Sequence, residues 1–532
     1  MEKFDRDLRS LQQARDLARA GAQAAKEFAT YTEEQVDLIL KNMVRVAEAN
    51  KVMLAELAHK ETGYGNVYDK AFKNHLASGL LYNEIKDIKT QGIVEEDPVN
   101  KVVTVAAPIG LIMGITPSTN PTSTIIAKAI LAMKTRNAIV FAPHPKAINC
   151  CVKAAELMAI AAEDAGAPKG VIGCITIPSM EASNWLMHSD EVKLILATGG
   201  PGMVKAAYSS GTPAIGVGSG NSPAYIEKTA NVQKAVQDIF ISKTFDQGLI
   251  CSSEQSIVCE EANHDEVVAE IKKQGGYFMT PEETKKVCNV IFRPGTTAMS
   301  GKLVGHKAED IAAAAGITIP AGTKLLVGPQ NGVGPDYPLS YEKLTQVIAF
   351  YTVADWKEAH DLSYRLLQHG PGHTFNIHTA NKETAMKFMD LPASRFIYNG
   401  YGAQGGVGAA TGVPISFTLG CGPIGGSSVS ENISVNNLIV LKRLEGKTLD
   451  LTDMKKADPT FDYDPAPAAA GGAASASVGG TSPDAFAQAF SNDKNVTVGQ
   501  CCTTPSGGET GISQEQLNDI VQMMMKTLKG EK

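Results

Sequence analysis

The sequence is poor in cysteine and contains no long run of apolar or of basic residues. Nine cysteines among 532 residues are too sparse for a disulfide framework, and they show neither CxxC pairs nor the histidine spacing of a zinc site. No apolar run reaches the roughly 18 to 20 residues that span a bilayer, and the charged N-terminus has no apolar signal core. The net charge of −7 without a basic run argues against binding to a nucleic-acid backbone. We therefore expect a cytoplasmic protein with reduced thiols, and neither a membrane nor a nucleic acid as partner.

The chain of 532 residues is 43% hydrophobic, which is enough for several cores and therefore for more than one domain. Residues 1–88 have helical periodicity with few turn signals. Further on, short apolar strands alternate with alanine-rich helices, a pattern that predicts parallel sheets covered by helices. We assign residues 1–88 and 107–219 to one α/β domain and residues 220–430 to a second α/β domain.

Residues 92–110, GIVEEDPVNKVVTVAAPIG, are typical of a hairpin that turns at residues 97–100. The segment SVNNLIVLKRL, residues 434–444, is typical of a strand that pairs with this hairpin or across a subunit boundary. Because an extended hairpin often contacts a second subunit, we predict an oligomerisation arm of residues 89–106 and 431–446, and a homodimer or homotetramer. A hairpin that packs on its own domain is the alternative.

The C-terminal part has a different composition. Residues 447–511 are rich in alanine, glycine, serine and proline and have few large apolar side chains, so we predict a flexible linker. Residues 512–529 have a capping-box spacing and one apolar stripe, formed by Leu517, Ile520, Val521 and Met524. Such a short amphipathic helix needs a docking surface, which is either a partner protein or the core of this chain.

The stretch LILATGGPGMVKAA predicts a strand, a glycine turn and a helix, although it lacks the GxGxxG pattern. Gly199, Gly200 and Gly202 would let a ligand approach the backbone, and the following helix N-terminus attracts negative charge. Tight packing of the strand against the helix, with no ligand, is the competing explanation.

Five stretches, in order over residues 10–445, resemble the aldehyde dehydrogenase superfamily and specifically its coenzyme A-acylating branch. They are ITPSTNPTST, TGGPG, QGLICSSEQ, YEKLTQV and FTLGCGPIGGSSVSENIS. The resemblance implies a fold of two Rossmann-like α/β domains with a β-hairpin arm, in which residues 1–88 and 107–219 form the nucleotide-binding domain and residues 220–430 form the catalytic domain. It also implies that Cys251 is the nucleophile, that the Asn120 amide holds the developing oxyanion, and that Glu342 contacts the nicotinamide ribose. Thr198, Gly199, Gly200 and Gly202 match the cofactor-binding turn.

The chemistry expected of this set begins when the Cys251 thiolate attacks an aldehyde. N–H donors stabilise the resulting alkoxide, which expels hydride to NAD and leaves a thioester on Cys251. The hydrolytic branch of the family has a glutamate at the position of Val217, which would activate water. Without that carboxylate the coenzyme A thiol is the better nucleophile, because its pKa gives a useful thiolate fraction near neutral pH. The resemblance implies that NADH leaves before coenzyme A enters largely the same cleft.

Other positions carry weaker signals. Ala142 stands where the hydrolytic enzymes have a lysine near the adenosine ribose, whereas His144 and Pro145 match the acylating branch and are candidates for the adenine end of the pocket. His373 is a candidate for assisting thiol deprotonation, and a structural hydrogen bond is its alternative. Cys421 is a loop cysteine near the expected site.

The sequence thus predicts a coenzyme A-acylating aldehyde dehydrogenase that converts propionaldehyde or acetaldehyde, NAD and coenzyme A to acyl-coenzyme A and NADH. A hydrolytic enzyme that releases the free acid is one alternative, and a non-catalytic assembly module is another. The tail resembles the encapsulation peptides of enzymes inside bacterial microcompartments, so we expect residues 512–529 to bind a shell or cargo protein there.

Overall fold

The computed structural model describes residues 5–449 of the chain. The predicted helix 512–529 and all but the first three residues of the predicted linker 447–511 lie outside these described residues. Within residues 5–449, no helix combines the length and the apolar character that crossing a bilayer requires.

The N-terminal region consists of packed helices, as its periodicity predicts. The longest of them begins at a capping box between Thr32 and Gln35 and ends where Gly63 adopts a left-handed φ of 72°. The elements of this region, in order, are α1 (Arg6–Phe28), α2 (Glu33–Thr62), α3 (Val67–His75), a π-helical turn (Leu76–Leu80), α4 (Leu81–Ile85), β1 (Gly92–Asp97) and β2 (Val102–Pro108).

The first α/β unit is a five-stranded, fully parallel sheet with the order β5-β4-β3-β6-β7. Two neighbouring strands of this sheet, Leu111–Thr116 and Ala138–Pro143, are buried along their whole length, as expected where helices cover both faces. The order reverses between β3 and β6, and the carboxyl ends of strands beside such a reversal are where α/β folds bind ligands. The elements are β3 (Leu111–Thr116), α5 (Pro121–Lys134), β4 (Ala138–Pro143), α6 (Ile148–Asp164), β5 (Ile172–Cys174), α7 (Met180–Met187), β6 (Val192–Thr198), α8 (Pro201–Tyr208) and β7 (Ala214–Val217).

The second α/β unit is a seven-stranded parallel sheet with the order β10-β11-β12-β9-β8-β13-β14. Its strands are β8 (Ser222–Ile226), β9 (Glu254–Glu260), β10 (Gly276–Phe278), β11 (Leu325–Pro329), β12 (Val347–Val353), β13 (Gly372–His378) and β14 (Ala393–Tyr398). Its helices are α9 (Val232–Thr244), α10 (His264–Lys273), α11 (Pro281–Ile291), α12 (Ala308–Ala315), α13 (Trp356–Leu367), α14 (Lys382–Met386) and α15 (Gly402–Gly406). The predicted α/β class is confirmed, while the exact domain limits remain predictions.

The predicted hairpin forms, and its turn is held by Asp97, whose carboxylate accepts the N–H groups of Val99 and Asn100, each at 3.0 Å. The final strand, β15 (Ile439–Glu445), pairs antiparallel with β2 and completes a three-stranded sheet. The strand begins later than the predicted residue 434, because residues 435–438 form a 3₁₀ turn that Ser434 and Asn437 cap reciprocally.

The two parallel sheets present opposite ends to one cleft. The strands β3, β4, β6 and β7 contribute their carboxyl ends, while β9, β12 and β13 contribute their amino ends. Because strands from both sheets end at this cleft, it gathers residues from distant parts of the chain. These residues lie in loops, which can differ in sequence without disturbing the sheets.

Candidate active site

A cavity of about 200 Å³ lies in this cleft. Most of the residues that the sequence singled out line it. They are Asn120, His144, Thr198, Gly199, Gly200, Val217, Cys251 and Glu342. Pro145 and Gly202 are not among its lining residues, since Pro145 lies exposed in the turn after β4 and Gly202 lies within the first turn of α8.

Cys251 lies between a 3₁₀ turn, Phe245–Gly248, and the start of β9. The turn includes Asp246 and Gln247 in left-handed conformations, with φ of 45° and 58°. A side chain at Gly248 would come within 2.7 Å of the Thr345 carbonyl oxygen, so only glycine fits at that position. This loop is therefore held in one shape, and it places the Cys251 thiol at the cavity wall.

The nearest side-chain partner of the thiol is His373, the second residue of β13. Its Nε2 lies 3.1 Å from the Cys251 Sγ, and its Nδ1 lies 2.9 Å from the Thr374 hydroxyl. If the ring proton is on Nδ1, this N–H donates a hydrogen bond to the Thr374 hydroxyl, and Nε2 is free to accept a hydrogen bond from the thiol. The sequence offered two roles for His373, assistance of thiol deprotonation and a structural hydrogen bond. The structure places the ring in direct contact with the predicted nucleophile, which is the contact that the first role requires.

Burial sets the protonation states of this pair. It raises the pKa of Cys251 to about 12, a shift that Glu342 increases and Arg395 opposes. It also lowers the pKa of His373 well below the ordinary value, and Arg395 adds to that effect. The resting pair is therefore a neutral thiol beside a neutral imidazole, which can take up the proton when the thiol reacts.

Asn120 follows β3 and occupies the N-cap position of α5, but its side chain makes no capping hydrogen bond. Instead its Oδ1 accepts a hydrogen bond of 2.7 Å from the Lys73 Nζ. The side chain is thus directed by a residue of the N-terminal helices, which sequence patterns did not single out.

The glycine turn after β6 has room for a ligand. A Cβ at Gly200 or Gly202 would meet no atom within 4 Å, so close strand-to-helix packing does not explain these glycines. Thr198 ends β6, and its hydroxyl lies 3.1 Å from that of Thr418. The turn therefore leaves open space beside the N-terminus of α8, and the predicted role of these residues in cofactor binding stays a prediction.

Glu342 and His144 lie at other points of the cavity wall. The Glu342 Oε1 accepts the Gly220 N–H at 3.0 Å, and burial raises the pKa of Glu342 to about 7. Burial and the nearby Lys146 lower the pKa of His144, whose Nδ1 accepts the Lys146 N–H at 3.1 Å. Both side chains are held by the local backbone yet border the cavity, which fits contacts to the ends of an extended cofactor.

The position of Val217 bears on the fate of a thioester. It is the last residue of β7, it is buried, and it lines the same cavity as Cys251. The cavity wall therefore has an aliphatic group at the position where the resemblance implies a water-activating glutamate in the hydrolytic branch.

A second cavity, of about 460 Å³, adjoins the first at Gly218 and Ser219 and includes Cys421 in its wall. Cys421 is buried, and burial raises its pKa while the nearby Arg395 opposes that shift. Within residues 5–449 all seven cysteines are free, and no group of three or more histidine, cysteine or acidic residues could hold a metal ion.

Comparison with known proteins gives consistent matches. The model of the aldehyde dehydrogenase family matches residues 8–283. The bifunctional aldehyde-alcohol dehydrogenase of Escherichia coli is 44% identical over 433 residues, which are 79% of this chain and 48% of that protein, so this chain spans about half the length of that curated relative. The structure of an acetylating aldehyde dehydrogenase from Geobacillus thermoglucosidasius is similar with a TM-score of 0.83 and 46% identity, covering 84% of this chain and 99% of the other.

The structure of a propionaldehyde dehydrogenase from the fucose utilisation bacterial microcompartment of Clostridium phytofermentans is also similar. Its TM-score is 0.74 at 25% identity, and the match covers 82% of this chain and 97% of the other.

Proposed function

The chain belongs to the aldehyde dehydrogenase family, and we propose that it is a coenzyme A-acylating member that oxidises a short aldehyde with NAD. Acetaldehyde and propionaldehyde are the proposed substrates, and acyl-coenzyme A and NADH are the products. The similarity to an acetylating aldehyde dehydrogenase and to a propionaldehyde dehydrogenase supports this choice.

One observation carries the proposal. The Cys251 thiol lies 3.1 Å from the Nε2 of a buried, neutral His373, in a cavity where Val217 replaces a water-activating carboxylate. A nucleophile with an adjacent base suits formation of a thioester, and an aliphatic wall leaves water poorly activated.

The chain's own groups perform the following steps. His373 accepts the thiol proton while Cys251 attacks the aldehyde carbon, and the Asn120 amide donates to the oxyanion. The turn with Thr198, Gly199 and Gly200 would hold NAD, which would supply the hydride acceptor for that carbon, so that the acyl group would remain on Cys251 as a thioester. The coenzyme A thiol then attacks the thioester carbonyl and its proton passes to the departing Cys251 sulfur, which releases acyl-coenzyme A and restores the Cys251 thiol. The proton that His373 accepted is released to solvent.

The test is NADH formation from propionaldehyde and NAD, with and without coenzyme A. Wild-type turnover should require coenzyme A, and Cys251→Ala should abolish it. Cys288→Ala is the matched control, because Cys288 lies on α11, does not line the cavity and should be dispensable. Turnover that is indifferent to coenzyme A would contradict the proposal.

Hydrolysis is the second candidate, since Glu342 places a carboxyl group in the cavity wall. Its Oε1 accepts the Gly220 N–H, so the backbone already engages one of the two carboxyl oxygens. Propionic acid as the main product in the presence of coenzyme A would favour this alternative.

The C-terminal tail and the hairpin arm are the proposed contact sites for other proteins and for further copies of this chain. We propose that residues 512–529 bind a shell or cargo protein of a bacterial microcompartment; the similar enzyme from a fucose utilisation microcompartment supports this. A fluorescent fusion truncated after residue 450 should lose its punctate localisation, and full encapsulation of that fusion would disprove the role of the tail.

We also propose that the β1-β2-β15 sheet forms a dimer or tetramer contact, since Val99 and Leu444 are 84% and 73% exposed there. Light scattering of Leu444→Glu against wild type tests this contact.

A further inference from the structure

The orientation of the Asn120 amide is set by a lysine. Asn120 Oδ1 accepts from the Lys73 Nζ at 2.7 Å, and a lysine ammonium has only donors, so the bonded atom is the amide oxygen. The Nδ2 therefore lies on the other side of the amide, where it meets the Thr119 hydroxyl at 3.3 Å. One of its two N–H groups stays available for an oxyanion. A flipped amide would present its oxygen to the developing negative charge and would oppose the reaction.

Lys73 is itself held firmly. It lies on α3 and is 2% exposed, and its ammonium contacts the carboxylate of Asp246, which is fully buried. Burial lowers the pKa of Lys73 to about 8, and Asp246 opposes that shift, so the ammonium form predominates at pH 7. Lys70, also 2% exposed, contacts the same carboxylate at 3.1 Å but donates no hydrogen bond to Asn120.

Asp246 connects this lysine to the loop of the nucleophile. It lies five residues before Cys251, and its φ of 45° is in the left-handed region. Its carboxylate accepts the Asn66 N–H at 2.8 Å, and its own N–H donates to the Asp69 carboxylate at 2.8 Å. A Cβ at Gly65 would lie 1.9 Å from the Asp246 Oδ1, so the two segments approach as closely as the chain allows.

We propose that Lys73 is a positioning residue that fixes the Asn120 amide with its N–H toward the oxyanion, and that Asp246 holds Lys73 in place. The network couples the oxyanion donor to the loop that carries Cys251. This proposal rests on the function proposed above, since it assigns Asn120 to the oxyanion of the same reaction.

The test is a double-mutant cycle on kcat and KM for propionaldehyde. Removal of a comparable oxyanion donor costs about 10² to 10³ in kcat, so Asn120→Ala should fall in that range. Lys73→Met should lower kcat by at least about tenfold with little change in KM, because it removes an interaction that acts in the transition state. In the Asn120→Ala background, Lys73→Met should have little further effect, because Lys73 acts through the amide.

Lys70→Met is the matched control. Each single variant leaves Asp246 paired with the remaining lysine, so both should change the melting temperature to a similar extent. Lys70→Met should nevertheless lose at least tenfold less kcat than Lys73→Met. Equal losses in the two variants, or multiplicative losses in the cycle, would overturn the proposal.

Two further measurements keep the outcome decisive. If Lys73→Met does not fold, Asp246→Asn replaces it, because this variant weakens the ion pair that holds Lys73. Asp246→Asn should lose less kcat than expected for Lys73→Met, and this loss should likewise vanish in the Asn120→Ala background. The cycle follows NADH alone, so wild-type turnover without coenzyme A would overturn the proposed function while the cycle still decided the role of Lys73.

Discussion

The resting state of the Cys251–His373 pair leads to a prediction about alkylation. The perturbation is pH, varied from 6 to 10, with iodoacetamide as the probe of the thiolate. A pKa of about 12 for Cys251 leaves a thiolate fraction of about 10⁻⁵ at pH 7, roughly 10³-fold below that of an ordinary cysteine. Labelling of Cys251 in the free enzyme should therefore be slow at pH 7 and should rise about tenfold with each pH unit through pH 10.

The assay is the rate of carbamidomethylation of the peptide that contains Cys251, followed by mass spectrometry. His373→Gln is the control, because it replaces a neutral ring with a neutral amide and should leave the shape of the profile unchanged. A plateau of fast labelling between pH 6 and 8 that disappears in His373→Gln would show an imidazolium–thiolate pair. Such a result would refute the reasoning that burial keeps both groups neutral.

Other predictions concern stability, cofactor binding and product. Burial raises the pKa of Glu254 to about 7, so the folded state binds more protons than the unfolded state between about pH 4.5 and 7. The free energy of unfolding should therefore fall as the pH rises across that window. Melting temperatures measured against pH should show a smaller fall for Glu254→Gln than for the wild type. Gly200→Ala should leave the melting temperature unchanged and raise the KM for NAD several-fold. Gly248→Ala should instead destabilise the fold, because its side chain would meet the Thr345 carbonyl oxygen and the φ of this residue is 81°. Equal melting temperatures of the two variants would contradict this prediction. Val217→Glu should make part of the NADH formation independent of coenzyme A, with propionic acid as the product, and an unchanged requirement for coenzyme A would show that Val217 does not decide the acceptor.

The parallel sheets and the arm were predictable because each has a local signal. Apolar strands such as LIMGIT are buried on both faces, and that burial requires continuous apolar character. The pairing of β15 with the hairpin was open between two partners until the structure showed β2 beside it. The start of β15 was misplaced, because reciprocal capping by Ser434 and Asn437 bends the chain at a point where the composition still favours a strand.

The candidate site was only partly predictable. Cys251, Asn120 and Glu342 stand in recognisable stretches, and the structure places all three around one cavity. Lys73 and Asp246 gave no signal, because a lysine on a helix and an aspartate in a loop are ordinarily solvated surface residues. Their burial as an ion pair depends on the contact between α3 and the loop before β9, which lie more than 170 residues apart in the chain.

The sequence by itself determined the order of the elements and the family and singled out Cys251 as the candidate nucleophile, since these follow from local periodicity and short motifs. The tertiary structure alone decided which groups surround that nucleophile. Cys251 meets His373 at the amino ends of β9 and β13 in one sheet, and Asn120, which follows β3 of the other sheet, meets Lys73 of a separate helix. Protonation follows from the same packing, because burial, which no local pattern encodes, raises the pKa of Cys251 and lowers that of His373.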